Sequence, residues 1–295
     1  MSLRPETPLV SVIIPTMASA SRRALLQRAV LSVRASSRQP IRIIAVVNGN
    51  RFDADVCAWL KAQTDVHFEY IETPSLPAAL QRGRELVETE FFSALDDDDE
   101  YLPGSTDQKW AVLQAQPQCD LVVGNYYQHC AAVDTLRYSG LETVPANPLE
   151  VLMQFNWLHN GNALFRSNSV GTDYFENYHA YAEWTWMAFR LAMDGKKVAV
   201  LDLPVFRCYG ETPGSLSKSE AYFQSYIPLF KRMLALSPPP AVVRMIHRKM
   251  SAAYHDAAVS AQSGGRRRDA WRNHLRSLRH ADGLRYLSYT RYLLK

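Results

Sequence analysis

The sequence has no CxxC pair: its four cysteines, Cys57, Cys119, Cys130 and Cys208, are scattered along the chain. That spacing argues against a zinc site or a disulfide framework and leaves buried free thiols as the plain reading. Long apolar runs are missing too. The cleanest, Val10–Pro15 and Ile41–Val47, are strand-sized, well short of the roughly 20 residues that span a bilayer. Met1-Ser2-Leu3-Arg4-Pro5 lacks a long apolar h-region, so no signal peptide is expected and a cytoplasmic location is. The body lacks excess positive charge. The net charge is +4, but residues 264–295 hold nine Lys/Arg against two Asp, a net of +7 that leaves −3 for the rest. A nucleic-acid partner is therefore not expected. What remains, 295 residues with 47% apolar and 21% charged side chains, suits a soluble α/β domain with additions.

Strand and helix alternate through the first hundred residues. Leu9–Thr16 reads as a buried strand, and Leu25, Leu26, Ala29, Val30 and Val33 recur at helical spacing within Arg22–Arg34. Ile41–Val47 is a second strand, stopped by Asn48-Gly49-Asn50, and helical spacing follows over Ala54–Gln63. Val66–Ile71 alternates as a third strand, Leu76–Val87 is helical, and Phe91–Leu95 is a fourth strand running into Asp96-Asp97-Asp98-Asp99-Glu100. Such alternation predicts a parallel sheet covered by helices, with ligands at the carboxyl ends of the strands. Pro15-Thr16, Asn48-Gly49-Asn50 and Asp96–Asp99 all fall at that edge and are expected to share one cleft. Further on, Asp120–Gly124 and Val198–Val205 read as strands, Ala182–Met193 as a helix, and about Tyr126 to Asn156 as loop and insertion. After Leu216 the pattern is helical, broken at Ser237-Pro238-Pro239-Pro240.

Five consecutive acidic residues after an apolar strand repel one another unless a counter-charge is near. A divalent cation, Mn²⁺ or Mg²⁺, supplies one through hard oxygen ligands and also bridges a diphosphate. The alternative is a solvated acidic turn capping the next helix.

The run Phe92-Ser93-Ala94-Leu95-Asp96-Asp97-Asp98-Asp99-Glu100-Tyr101-Leu102-Pro103 resembles the metal-binding signature of family 2 glycosyltransferases of the GT-A fold. Val10–Thr16 resembles the first strand of that family, and Leu76-Pro77-Ala78-Ala79-Leu80-Gln81-Arg82-Gly83 its helix before the acidic strand. The resemblance covers residues 9–104 strongly and 160–217 weakly. It implies a GT-A-like, Rossmann-type mixed sheet sandwiched by helices, with a C-terminal helical extension. It further implies an inverting, metal-dependent transfer of a sugar from a nucleotide-sugar donor, a UDP-sugar being favoured, to a glycan or lipid-linked acceptor. By the same resemblance Pro15, Thr16, Asn48, Gln81, Asp96 and Asp97 would contact the nucleotide, and Asp98 would hold the metal. The sequence departs from the family at Asn48, where aspartate is common, and at Gln81, where asparagine is usual.

The family supplies its base from a Glu-Asp pair opening a helix. Here Glu183 is the one carboxylate in Tyr181-Ala182-Glu183-Trp184-Thr185-Trp186, with Trp184 in the second place. Glu183 is the candidate base; its alternative role is to sit in the first turn and favour the helix dipole. Trp184 is a candidate stacking surface for an acceptor sugar, or else core. Asn156-Trp157-Leu158-His159-Asn160-Gly161-Asn162 resembles the acceptor-side strand, which makes His159 and Asn162 acceptor candidates; a lone histidine is more often structural. Arg207–Ser217 resembles a loop that closes over the donor, with Thr212 where relatives carry a metal-binding histidine.

The expected organisation is a nucleotide-sugar-binding half over 1–104, an acceptor half over 105–217, and a helical region with a basic tail over 218–295. Trp271, Leu275 and Leu278 in the tail recur at helical spacing beside Arg272, Arg276 and Arg279. This pattern suits a peripheral contact with the inner face of a membrane, a helix packed on the catalytic domain, or an oligomer contact. A nucleotidyltransferase is disfavoured by the lack of glycine in Pro15–Ser21. The competing reading is a non-catalytic relative that binds a nucleotide or glycan without turnover.

Overall fold

The computed structural model describes residues 7–211 and 220–294. Thr212 and the rest of the expected donor-closing loop, to Ser217, lie outside the described residues.

Four βα units build the first half. β1 (Val10–Thr16) leads through a 3₁₀ turn (Ala20–Arg22) into α1 (Arg23–Ala35). β2 (Ile41–Asn48), α2 (Ala54–Lys61), β3 (Val66–Ile71), α3 (Leu76–Glu85) and β4 (Phe91–Ala94) follow. All seven β1 residues are buried, as a strand covered on both faces requires. α3 lies close against β1: a Cβ on Gly83 would run into the Ile13 side chain. Ser75 caps α3 by accepting from Ala78 N, and Asp53 caps α2 by accepting from Asp55 N and Val56 N.

The remaining strands are β5 (Glu100–Tyr101), β6 (Leu121–Cys130), β7 (Val133–Leu136), β8 (Ala163–Arg166) and β9 (Val198–Tyr209). Among the described residues they complete a nine-stranded sheet in the order β3-β2-β1-β4-β8-β6-β9-β5, with β7 paired to β6. β1 to β4 are mutually parallel, β8 runs antiparallel to β4 and β6, and β9 is parallel to β6. The sheet is thus mixed, as expected. After β3 the chain crosses to the other side of β1, creating a topological switch at the carboxyl ends of β1 and β4. Open α/β sheets bind ligands at such a switch.

The segment read as loop from Tyr126 differs. β6 continues to Cys130, turns into β7, and α5 (Pro148–Leu152) follows. α4 (Ser105–Ala115), α6 (Asp173–Glu176) and α7 (Glu183–Met193) surround the second half; α8 (Glu220–Ala235), α9 (Pro240–Ser263), α10 (Arg267–Leu278) and α11 (Thr290–Leu293) complete the chain. One apolar core runs from Val10 to Met250 and Tyr254, so α8 and most of α9 share it with the sheet. A small second cluster of Ala261, Ala270 and Leu293, flanked by Trp271 and Tyr289, holds the tail. No helix among the described residues is long and apolar enough to cross a membrane.

Candidate active site

The carboxyl ends of β1, β2 and β4 converge as the sequence leads one to expect. Asn48 Nδ2 donates to Thr16 O at 3.0 Å. Thr16 Oγ1 donates to Asp97 Oδ2 at 2.5 Å and accepts from Ala18 N at 2.9 Å. Ala18, enclosed in that loop, has φ +47, a strained value for a residue with a side chain and one that recurs at functional loops.

The acidic residues divide the work among themselves. Asp97 is buried, and the Arg22 guanidinium grips it through Nε, at 3.1 Å from each carboxylate oxygen, and through Nη2. With Thr16 also bound, Asp97 ties the β1 loop to the acidic turn. Asp98 lies 3.2 Å from the same Arg22 and is 20% exposed at its side chain. Glu100 pairs with Arg28 at 3.6 Å and with Arg207. Asp96 and Asp99 have no ion-pair partner among the described residues. Asp96 accepts from Asn160 Nδ2 at 2.6 Å, and Asp99 accepts from Tyr209 N at 2.9 Å. Burial first, then the charges of Asp98 and Asp97, push the Asp96 carboxyl up to about 7. Burial and then Asp96 and Asp98 push Asp99 well above the carboxylate range.

This crowding fits a divalent cation, but only in part. Among the described residues no three His, Cys, Asp or Glu side chains converge as a preformed cage. One or two carboxylates of the turn, completed by diphosphate oxygens and water, form the donor set that suits Mg²⁺ or Mn²⁺. Asp98, half-buried at the turn, fits as the ligand from the chain.

Sequence reasoning missed Arg22 and Asn160. Arg22 is the nearest part of the counter-charge demanded by five consecutive acids, and it sits directly after the β1 loop. Asn160, 1% exposed, reaches Asp96 from the turn before β8. That turn is tightly built. Asn162 is fully buried; its Nδ2 donates to Gly124 O and Trp157 O, and its Oδ1 accepts from His159 N. These bonds give Asn162 a turn-forming role. Gly161 has φ +92 and a Cβ there would meet Phe206 at 2.8 Å, so glycine is required. Lys109 Nζ, wholly buried over the Tyr101 ring, donates to Gly161 O at 3.4 Å. His159 packs its ring against both Tyr126 and Phe206 with centroids 5.2 and 5.6 Å away, and burial lowers its pKa.

Glu183 opens α7 and accepts from Tyr181 N at 3.0 Å. Burial raises its pKa, which the N–H groups of Glu183 and Tyr181 partly offset. Tyr181 itself has φ +69, a second strained position at the site edge. Glu183 and Trp184 line one hollow with Pro77 and Leu80 of α3 and with Tyr174, Phe175, Tyr178 and Met187. Trp186 instead points inward, 2% exposed, donating to Asn177 O at 2.6 Å. Gln81, on α3, donates to Glu85 at 3.2 Å. No hydrogen bond or ion pair joins Glu183 to the acidic turn among the described residues. A separate open hollow of about 450 Å³, lined in part by Cys119, Pro145, Lys196 and Lys197, lies at the amino ends of β6 and β9, remote from these groups.

The family model described as glycosyl transferase family 2 matches residues 11–174, more than half of the chain. The chain belongs to glycosyl transferase family 2. The matched span carries β1 to β4, the acidic turn and the Asn160 turn, and it ends before Glu183. Solved structures of S. aureus TarS share the fold of this glycosyltransferase. TarS 1-349 in complex with UDP-GlcNAc superposes with TM-score 0.61 at 13% identity, covering 80% of this chain and 70% of that one. TarS 1-349 in complex with UDP gives 0.58 at 10% identity over 80% and 69%. TarS over its greater length gives 0.58 at 12% identity, over 82% of this chain and 43% of that one. A search of curated proteins gives no significant match.

Proposed function

We propose that this glycosyltransferase moves a sugar from a nucleotide-sugar donor, a UDP-sugar first among them, to a glycan or lipid-linked acceptor with inversion at the transferred carbon. The observation that carries the reading is the acidic turn at the topological switch, where among the described residues Asp96 and Asp99 form no ion pair while Arg22 holds Asp97. The TarS structures with UDP-GlcNAc and with UDP support the choice of donor class.

In this reading the base and ribose lie against the Pro15–Thr16 backbone, Asn48 and Gln81, with Asp96 oriented by Asn160. Asp98 would hold a Mn²⁺ or Mg²⁺ ion, which when bound would supply positive charge to the leaving nucleoside diphosphate. Glu183 takes the proton of the acceptor hydroxyl as that oxygen bonds to the sugar carbon and the bond to the phosphate oxygen breaks. Burial makes Glu183 a stronger base than an exposed glutamate. Trp184 offers its half-buried ring to the acceptor sugar, with His159 as a further acceptor contact. The basic tail over 264–295 contacts a membrane surface, the place where a lipid-linked acceptor resides.

The test separates donor from acceptor chemistry. Glu183→Gln should bind donor normally and lose transfer by about 10²–10⁴-fold, while slow metal-dependent donor hydrolysis disappears in Asp98→Ala. Near-normal transfer by Glu183→Gln would remove it as the base. Hydrolysis indifferent to Asp98→Ala would remove the metal assignment.

A further inference from the structure

The C-terminal unit turns an unexpected face outward. The stripe Trp271, Leu275, Leu278 does not pack as a unit: α10 buries Ala270, His274 and Ser277, while Leu275 is 49% exposed. Inner contacts are polar and aromatic. His274 Nε2 lies 2.8 Å from Thr290 Oγ1, and His255 stacks on Tyr286 at 4.0 Å. The 3₁₀ helix Gly283–Tyr289 places residues three apart on one stripe. Its outer stripe is Leu284 and Leu287, 74% and 56% exposed. Leu275 shares the exposed side of α10 with Arg272 and Arg279, three and four residues away.

We propose that this face docks on an anionic lipid surface, with Leu284 and Leu287 entering the headgroup–acyl boundary and the surrounding arginines meeting lipid phosphates. Charge selects the occupant. Residues 264–295 carry +7, so a second copy docked through the same face would set two cationic faces together, which repel. Nucleic acid would satisfy the arginines and leave the leucines in water. An anionic bilayer satisfies both, since apolar insertion and attraction to phosphates act together at its surface. The inference deepens the lipid-linked acceptor reading, and its test uses no catalytic readout, so either can fail alone.

The experiment is co-sedimentation of the full chain with phosphatidylcholine vesicles, with and without a phosphatidylglycerol fraction. Binding should require phosphatidylglycerol and weaken as salt is raised. The double variant Leu284→Ser/Leu287→Ser should lose about tenfold in partition, the effect of roughly two leucines partly withdrawn from water, with its thermal melt unchanged. Arg279→Gln/Arg285→Gln should also lose about tenfold. Wild-type protein left in the supernatant with phosphatidylglycerol vesicles overturns the proposal. So does an unchanged partition of the leucine variant, or a leucine variant that turns a dimer into a monomer while vesicle binding is absent.

Discussion

Asp97 and Asp98 are adjacent in sequence and opposite in consequence. Asp97→Ala leaves Arg22 with Asp98 as its one remaining carboxylate and frees Thr16, so stability to urea should fall by about 2–3 kcal/mol, the loss typical of hydrogen bonds to a charged group. Asp98→Ala should stay within about 1 kcal/mol of the parent, since Arg22 keeps Asp97. Equal destabilisation by the two would contradict the division of labour. Lys109 offers a second test. Burial lowers its pKa from 10.5 to about 7, so between those values the unfolded chain binds the extra proton and stability rises with pH. The rise should be on the order of a few kcal/mol and should vanish in Lys109→Met, measured by urea unfolding near pH 7 and again near pH 9.5. A parallel pH response in the variant would show that Lys109 is solvated. The importance of the acidic run was legible in the sequence because five like charges are costly. Which carboxylate does what was not, since Arg22 and Asn160 reach it from positions 75 and 64 residues away.

Elements were legible where apolar spacing is strong. β1, β2, β3 and α1 match their expected spans within a residue or two because aliphatic residues dominate β1, β2 and the buried side of α1, while the half-buried β3 keeps its alternation. α4 escaped notice because it buries Ser105, Thr106 and Lys109 beside a single leucine, Leu113, leaving no apolar stripe. β6 was cut short at Gly124 because its pairing with β9 shifts register at Gly124/Asn125 and Asn125/Tyr126, and a buried Asn125 interrupts the alternation. The tail was read with its stripe displaced because histidine and serine, not leucine, face α9. That choice has a consequence in acid. Burial lowers the pKa of His255, His274 and His280. Asp256 opposes the shift at His255, while Arg285 adds to it there and His247 and Lys231 add to it at His280. The fold holds these rings neutral, so their contribution is complete above about 6.5, the unfolded value, and is lost as pH falls below it. Hydrogen exchange in α9 and α10, corrected for intrinsic rates, should accelerate from pH 7 to about pH 5 more than in β1 to β4. Equal acceleration in both regions would contradict this.

At the scale of the molecule, the sheet order explains why residues far apart in sequence meet. Crossing from β3 to β4 over β1 gathers Thr16, Asn48 and the acidic turn at one edge, and the antiparallel β8 inserts Asn160 there. A continuous core joins the residues on either side of the boundaries expected at 104 and 217, and it also takes in α8 and most of α9. Among the described residues, only the segment from Ala261 onward has a cluster of its own. The central claim is that this edge binds a nucleoside diphosphate together with a divalent cation. Calorimetric titration with UDP, GDP and CDP, each with and without Mn²⁺, tests it most directly. The account predicts saturable binding of UDP that requires Mn²⁺ and is lost in Asp98→Ala. Absence of binding by all three nucleotides, in a protein that melts cooperatively, would contradict it and return the Asp96–Asp99 run to a solvated turn.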